Sequence, residues 1–460
     1  MGNTSTRTDA KPIPSVFCII VLFATLINFC GCSDFWEPVE STPEPTEYSY
    51  NYWLLDRTFL FRDELKGIPA EGDSVTDLYK AVKSIDPFTR YYPPSNSESA
   101  SIAINTSIVR GDVGMEYYLK PSQNHPLCVF RVYPESPAGR AGVPRHSCIE
   151  KINGTELKHD PADPSNARRV NTVYDSILVR NKNISLTLLV GPDTLPSSPP
   201  DTLRLEMTKE DVYAPTIFID TIFTDDQHGT TVVTITEFKQ TTANKTLGTF
   251  GELKAYLDST QNSREPRLLD LRGNPGGHVS QCVAMADLFV KSGIISTRSW
   301  RTFKPDGTST QKFNSTVAVP GDAGEGHDFM VLVNGGSASC AEIFTAAIAE
   351  GAGIPVVGST TYGKGIGQTT WSTPASGLAV ITNLEFLTPK GNSYHKKGIV
   401  PEIQCGSEPA LTCGINALQK RYGKQSAKKK VTQILEEEII PIRKSFPVEG
   451  AFIENEGLEK

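Results

Sequence analysis

Twice in this chain a short run rich in apolar residues stops at a glycine-rich turn and continues as a helical pattern. Arg267 to Leu271 runs into Arg272-Gly273-Asn274-Pro275-Gly276-Gly277, and a helix follows through Val283, Ala286, Leu288 and Phe289. Phe329 to Val333 runs into Asn334-Gly335-Gly336-Ser337-Ala338-Ser339, with a helix to about Glu350. Both read as short buried strands. Thr231 to Thr236 alternates as a strand, Phe250 to Leu257 repeats at helical spacing, and Pro355 to Val357 begins a further strand. Strand–turn–helix repetition of this kind predicts an α/β core. Each glycine turn would aim backbone N–H groups from a helix N-terminus at a developing negative charge. Neither has the G-x-x-x-x-G-K-[ST] spacing of a nucleotide site. The second turn presents Ser339 at the mouth of a helix among small neighbours, and a serine nucleophile needs a base. No G-x-S-x-G occurs, and the seven histidines form no familiar Ser-His pattern. A lysine between two glycines does occur, in Tyr362-Gly363-Lys364-Gly365.

The rest of the chain divides at its prolines and charge runs. Arg7 and Lys11 precede a twelve-residue apolar run, Val16 to Ile27. That is too short to span a bilayer, which takes about 20 residues, and suits the core of a secretory signal. Gly31 before Cys32 resembles a bacterial lipoprotein processing site, so residues 1–31 read as signal peptide and Cys32 as the lipidated residue; an ordinary signal peptide or an uncleaved anchor is the alternative. Met1-Gly2 with Thr6 also fits a myristoylation pattern, but the apolar run accounts for the N-terminus better. Residues 32–46 are an acidic, proline-bearing tether. Residues 47–104 form a small helical segment, closed by Pro93-Pro94 and the serines that follow. Residues 105–192 carry short strands (Cys128 to Val132, Cys148 to Ile152, Ile184 to Val190), a tight hairpin at Asn153-Gly154 and a helix at Val170 to Val179. Gly191 to Pro200, with four prolines, is a linker. The larger unit covers 201–404, and 405–460 is a charged tail, read as a solvated helix.

Composition narrows the function classes. Net charge is −7, with 52 acidic and 45 basic residues, which gives no footprint for nucleic acid. At 38% hydrophobic residues the chain is neither disordered nor a polytopic membrane protein. Nine cysteines suit export. Without Cys18, Cys30 and Cys32 six remain, none in a CxxC, so no metal is expected. Proximity favours Cys128–Cys148 and Cys405–Cys413, with free buried thiols as the alternative.

From about residue 48 to 404 the chain resembles the C-terminal processing peptidases, or tail-specific proteases. The resemblance rests on Leu269 to Gly277, on Val331 to Ile343, in which the second serine of Ser337-Ala338-Ser339 is the nucleophile, and on Thr361 to Gln368, with the catalytic lysine and a glutamine four residues on. Ser339 and Lys364 lie 25 residues apart, as in that family. Thr388-Pro389 with Gly391, and Gly398 to Pro401, resemble its closing strand. The resemblance implies an α/β (α+β) fold: a ClpP/crotonase-like protease core with an inserted or preceding PDZ domain and a small N-terminal helical segment. It implies no cofactor and acyl transfer by a Ser-Lys dyad. Ser339 would attack, Lys364 would take its proton, and Gln368 would orient the lysine. The oxyanion would lie between the Cys340 N–H and an N–H of Gly276 or Gly277.

Lys364 must be neutral to act. A solvated lysine of pKa about 10.4 is neutral roughly once in 2,500 molecules at pH 7, a penalty of about 4.6 kcal/mol, so burial must lower its pKa. Cys340 stands where the family usually has alanine; it would pair with Cys282 or pack, and a Cys340 nucleophile is a further alternative. Glu350 would end a helix before Gly351. In the PDZ-like residues 105–192, Val113, Gly114, Met115 and Glu116 would form the carboxylate loop that receives peptide C-termini. The expected partners are protein or peptide substrates, unfolded or with accessible C-termini. The expected location is the bacterial cell envelope, with the chain held on the membrane by its lipid. Other readings are a non-catalytic PDZ-bearing lipoprotein that binds tails or scaffolds an envelope complex, and a Ser-His esterase.

Overall fold

A computed structural model describes residues 46–163, 166–190, 201–223, 229–423 and 440–442. The expected signal peptide, Cys32, most of the expected tether, residues 191–200 and most of the residues after 423 lie outside them. Among the described residues no helix is long and apolar enough to cross a membrane.

The chain enters through α1 (Glu47–Thr58), α2 (Val75–Lys83), the short strand β1 (Arg90–Tyr92) and α3 (Pro94–Asn105). Pro93-Pro94 was expected to end the helical segment but instead starts α3. Pro94 takes the first helical turn, where its missing N–H has no partner to lose. Nor is the segment a separate cap. β1 pairs antiparallel with the later strand 378–387, and Leu54, Leu55, Phe59 and Val82 share one core with Ala379 and Ile381.

Next come β2 (Ile108–Asp112), β3 (Met115–Leu119), β4 (Leu127–Val132), α4 (Pro137–Arg140), β5 (Cys148–Ile152), β6 (Thr155–Glu156), α5 (Ala167–Arg180), β7 (Asn183–Val190), β8 (Asp201–Thr208) and β9 (Glu210–Tyr213). The sheet runs β3-β4-β5-β7-β8 around Val113, Tyr117, Val129, Ile149 and Leu186, with Val170, Tyr174 and Leu178 of α5 laid on it. Asn153 and Gly154 both have positive φ, 47° and 80°, as a two-residue hairpin with the right twist requires. The sheet continues past the boundary expected at residue 192. β8 pairs with β7 over its whole length, because Met207 completes the core. β9 then joins β2 in a two-stranded ribbon.

The rest of the chain supplies β10 (Ile217–Phe223), β11 (Gly229–Ile235), α6 (Gly248–Ser259), β12 (Arg267–Asp270), α7 (Val279–Asp287), β13 (Ile294–Phe303), β14 (Ser309–Val317), β15 (Phe329–Val333), α8 (Cys340–Ala352), β16 (Val356–Gly358), β17 (Ile366–Ser372), β18 (Leu378–Leu387), β19 (Ile403–Gln404), α9 (Ala410–Tyr422) and, from the tail, β20 (Ile440–Ile442), which joins the sheet of β3. One sheet has the order β10-β11-β12-β15-β16-β19 and is parallel from β11 onward. Every residue of β12 and β15 is buried, as two covered faces demand. On one face Leu268, Met330 and Leu332 meet Leu411, Ile415 and Leu418 of α9. The residues after 405 therefore do not begin a solvated helix: 410–422 close the core. On the other face Phe344 of α8 packs on Phe238 and Phe289. A second, antiparallel sheet, β1-β18-β13-β14 with β17 on β18, lies beside the first. The expected closing strand at 388–401 is a loop, and the strand that closes the sheet is β19. α8 also runs through Gly351 to Ala352 and ends at Gly353 in the left-handed conformation, so Glu350 does not terminate it. Its carboxylate accepts the Lys390 N–H at 2.9 Å.

Candidate active site

β12 and β15 are parallel neighbours, so their C-terminal ends open on the same edge and the two glycine turns lie side by side. They are sewn together. The Ala338 N–H donates to the Asn274 carbonyl at 2.9 Å, and the Gly273 N–H to Asn334 Oδ1 at 2.9 Å. Ser337 is fully buried, and its hydroxyl donates to the Leu271 carbonyl at 2.8 Å. Ser339 is only half-buried and sits at the N-terminus of α8 with φ 55° and ψ −116°. A non-glycine residue at positive φ carries about 1–3 kcal/mol of strain, which the surrounding structure must enforce. Here the result is a serine at the head of a helix.

The neighbouring glycines divide the remaining work. The Gly276 N–H donates to Asn274 Oδ1 at 2.8 Å. Among the described residues neither the Gly277 N–H nor the Cys340 N–H has a partner. Gly276 instead makes room: a Cβ there would stand 2.8 Å from Ser339 Cβ and 2.9 Å from the Cys340 nitrogen. Cys340 is not a free thiol. It is joined to Cys282 of α7 by a disulfide, which leaves it no nucleophilic role and ties the two turns together one residue past Ser339. Cys128–Cys148 and Cys405–Cys413 are also bonded.

Lys364 is buried, 3% exposed. Its Nζ donates to Gln368 Oε1 at 3.1 Å, and Gln368 Nε2 donates to Thr382 Oγ1 at 2.9 Å. The Phe88 ring lies 4.2 Å from the ammonium. Burial, aided by the nearby charge of Arg90 and opposed by Asp86 and Glu342, lowers the lysine to about 8. At that value about one molecule in eleven is neutral at pH 7, where a solvated lysine is almost never neutral. The flanking glycines let the 395–398 loop close on Lys364: a Cβ on Gly363 or Gly365 would come within 2.9 Å of its backbone nitrogens. The Lys396 N–H donates to the Gly363 carbonyl at 2.7 Å.

The residue that brings serine and lysine together is Glu342. It is fully buried in the first turn of α8. Oε2 accepts the Ser339 N–H at 3.0 Å and the Lys364 N–H at 2.7 Å; Oε1 accepts the Gly363 N–H at 2.6 Å and the Thr361 hydroxyl at 2.5 Å. Burial pushes this carboxyl up and the four donors pull it back. Its sequence signal was the S-x-x-E spacing from Ser339, the mark of a helix start. Phe88, Asp86 and Arg90 had no signal, since they reach the lysine from some 275 residues upstream. No hydrogen bond joins a described histidine to Ser339: His278 Nδ1 pairs with Ser280, and His125 and His159 bond backbone carbonyls.

The two charges around Lys364 give a direct test. Arg90→Gln should raise the pH at which activity turns on, and Asp86→Asn should lower it, each by a few tenths of a unit around the midpoint near 8. A pH–rate profile of the three proteins reads this, and shifts of the same sign would refute the electrostatic cause.

The Val113–Glu116 loop is differently arranged from expectation. The Gly114 N–H, expected to meet a ligand carboxylate, donates to Asp112 Oδ1 at 2.7 Å. The Val113 and Gly114 carbonyls accept from Ala138 and Tyr133, and Val113 and Met115 are buried in the core. Glu116 is engaged by Arg131 at 3.4 Å and by the Tyr133 hydroxyl at 3.1 Å. Arg131 in turn stacks on Phe218 of β10 at 3.9 Å. Short sequence-local bonds thus consume most of the polar groups that sequence assigned to a peptide. The backbone edges of β3 are paired with β4 on one side and with the tail strand β20 on the other.

Residues 229–405 match peptidase family S41. A "Probable CtpA-like serine protease" of Staphylococcus aureus is 29% identical over 333 residues, covering 72% of this chain and 59% of that protein. The chain thus spans about three fifths of that relative's length. The protein of the same description from Staphylococcus haemolyticus is 27% identical over 385 residues, covering 82% of this chain and 68% of its own. In fold, a "Putative S41 protease" from Bacteroides fragilis superposes with TM-score 0.55 at 13% identity, over 84% of this chain and 98% of that one. Residues 229–405 thus match the S41 peptidase domain, and over most of its length the chain is similar to CtpA-like serine proteases.

Proposed function

We propose that the chain is a serine endopeptidase that cleaves protein substrates by Ser-Lys acyl transfer. The observation that carries this reading is the Glu342 carboxylate, one oxygen of which accepts the backbone N–H groups of both Ser339 and a buried, Gln368-bound Lys364. Ser339 Oγ attacks the substrate carbonyl while neutral Lys364 takes its proton. The tetrahedral oxyanion is held by the Cys340 and Gly277 N–H groups. As the C–N bond breaks, Lys364 returns the proton to the leaving amine. Water, deprotonated by the same lysine, then hydrolyses the acyl-serine. The residues from 105 to 208 act as a PDZ-like unit that adds a substrate tail as a strand on β3. The test is cleavage of a carboxymethylated, unfolded protein by the purified chain, with Ser339→Ala as control; a chain that binds the protein but leaves it intact would be a scaffold and not an enzyme.

We further propose, from the apolar run Val16 to Ile27 and the Gly31-Cys32 pair, a bacterial envelope location with a lipid on Cys32. Cys32→Ser should then move it from the membrane fraction to the soluble fraction or block its processing. Mass spectrometry of the mature N-terminus checks this, and an unacylated terminus elsewhere would refute it.

A further inference from the structure

The sheet of the PDZ-like unit begins with a strand from the far end of the chain. β20 pairs antiparallel with β3, setting Ile440 opposite Leu119, Pro441 opposite Tyr118 and Ile442 opposite Tyr117. The other side of β3 is taken by β4, so without β20 it would be a free edge. That edge lies beside α5: the Tyr117 and Tyr174 hydroxyls are hydrogen-bonded, and their rings meet edge-on with centroids 4.8 Å apart. A strand edge flanked by a helix is where PDZ-type recognition adds a peptide.

Direction and chemistry both bear on what this strand is. Residue numbers along β20 rise as those along β3 fall, so the tail runs toward the Val113–Gly114 loop, the way an incoming C-terminus would enter. Eighteen residues follow Ile442, so no chain terminus is presented there. None is needed, because the loop already holds the Asp112 carboxylate on the Gly114 N–H. Pro441 has no N–H to give, which suits only a strand added at an edge.

We propose that Ile440–Ile442 is an intramolecular ligand of the β3 edge that competes with substrate strands. The proposal rests on the PDZ-like reading given above. The 17 residues between Tyr422, which ends α9, and Ile440 reach at most about 60 Å. A tether of this kind can present its segment at an effective concentration of order millimolar. A strand of weak intrinsic affinity therefore holds the edge against dilute substrates and yields to one delivered at high local concentration or with better-fitting side chains.

The test uses the full chain and its Ile440→Pro/Ile442→Pro variant, which removes the main-chain donors of the tail strand without touching the folded body. Two labelled peptides are titrated: residues 436–446 as the amide, and residues 436–442 as the free acid. Both should bind the variant about tenfold or more tighter than the unaltered chain, independent of protein concentration. Amide exchange at Met115–Leu119 should be faster in the variant. Equal affinities with measurable binding, or equal exchange, would overturn the tail proposal and leave the groove reading standing. A difference that appears only as the protein associates would place the tail on a second copy and overturn the intramolecular claim. Binding of neither peptide to the variant would remove the groove reading itself, and the proposal with it.

Discussion

Lys364→Ala is expected to cost as much peptidase activity as Ser339→Ala, about 10⁴- to 10⁶-fold in kcat, and the double variant no more than either alone. On the proposed mechanism nucleophile and base act as one unit, so their losses do not add. Lys364→Arg should be equally inactive: arginine keeps the charge but cannot give up its proton in this range. An active Lys364→Arg enzyme would end the lysine-base mechanism. Gln368→Ala should be milder, because it holds the Nζ at 3.1 Å and moves no proton. In the unaltered enzyme activity should climb as pH rises through about 8, since only the neutral amine works.

The same lysine should weaken the fold. Its folded pKa, about 8, lies below the unfolded value of 10.5, a difference of about 3 kcal/mol. Below pH 8 both states carry the charge and the full penalty is present; between 8 and 10.5 the penalty fades, because the unfolded chain binds the proton and the folded one does not. Lys364→Met should therefore raise the melting temperature at pH 7, and the gain should disappear toward pH 10.5. A destabilising Lys364→Met at pH 7 would mean that the ammonium is well paired and not a base in waiting.

Glu342→Ala is expected to be among the most damaging single changes in the core, with a loss of about 3–5 kcal/mol and of measurable activity. It strands the N–H groups of Ser339, Gly363 and Lys364 and the Thr361 hydroxyl, all now held within 3.0 Å. A buried donor left without its acceptor costs about 1–3 kcal/mol, and the upper part of the sum is trimmed by relaxation. Thr361 also accepts the Ile399 N–H at 2.7 Å, so the 395–399 loop should loosen with it. Glu342→Gln keeps one acceptor oxygen and the volume, and should recover part of the stability. Because Gln puts an NH₂ against at least one N–H, it should still perturb Ser339 and lower kcat more than it raises KM. Thermal unfolding and steady-state kinetics of both variants check this; a Glu342→Ala protein as stable as the parent would show that the bracket is dispensable.

The two glycine turns were legible as neighbouring strand-to-helix turns of an α/β core, and β12 and β15 do pair side by side; the pairing of Ser339 with Lys364 was legible only through the family resemblance, because Lys364 lies on neither turn. The hairpin at Asn153-Gly154 was legible too, since two positive φ values leave few residues to choose from. Pro93-Pro94 was not, because a proline pair marks a break equally well at the start of a helix as at its end. α9 was not, because Leu411, Ile415 and Leu418 find their partners, Leu268 and Leu332, in strands far back in the chain. The sequence by itself determined which residue types carry the chemistry and which turns present them. Only the tertiary structure decided how that chemistry is tuned. The lysine's pKa depends on its burial and on the charges of Arg90 and Asp86, and the backbones of serine and lysine are joined by one buried carboxylate. These are contacts across tens to hundreds of residues, where desolvation and hydrogen bonding are set by the whole fold and leave no period in the chain to read.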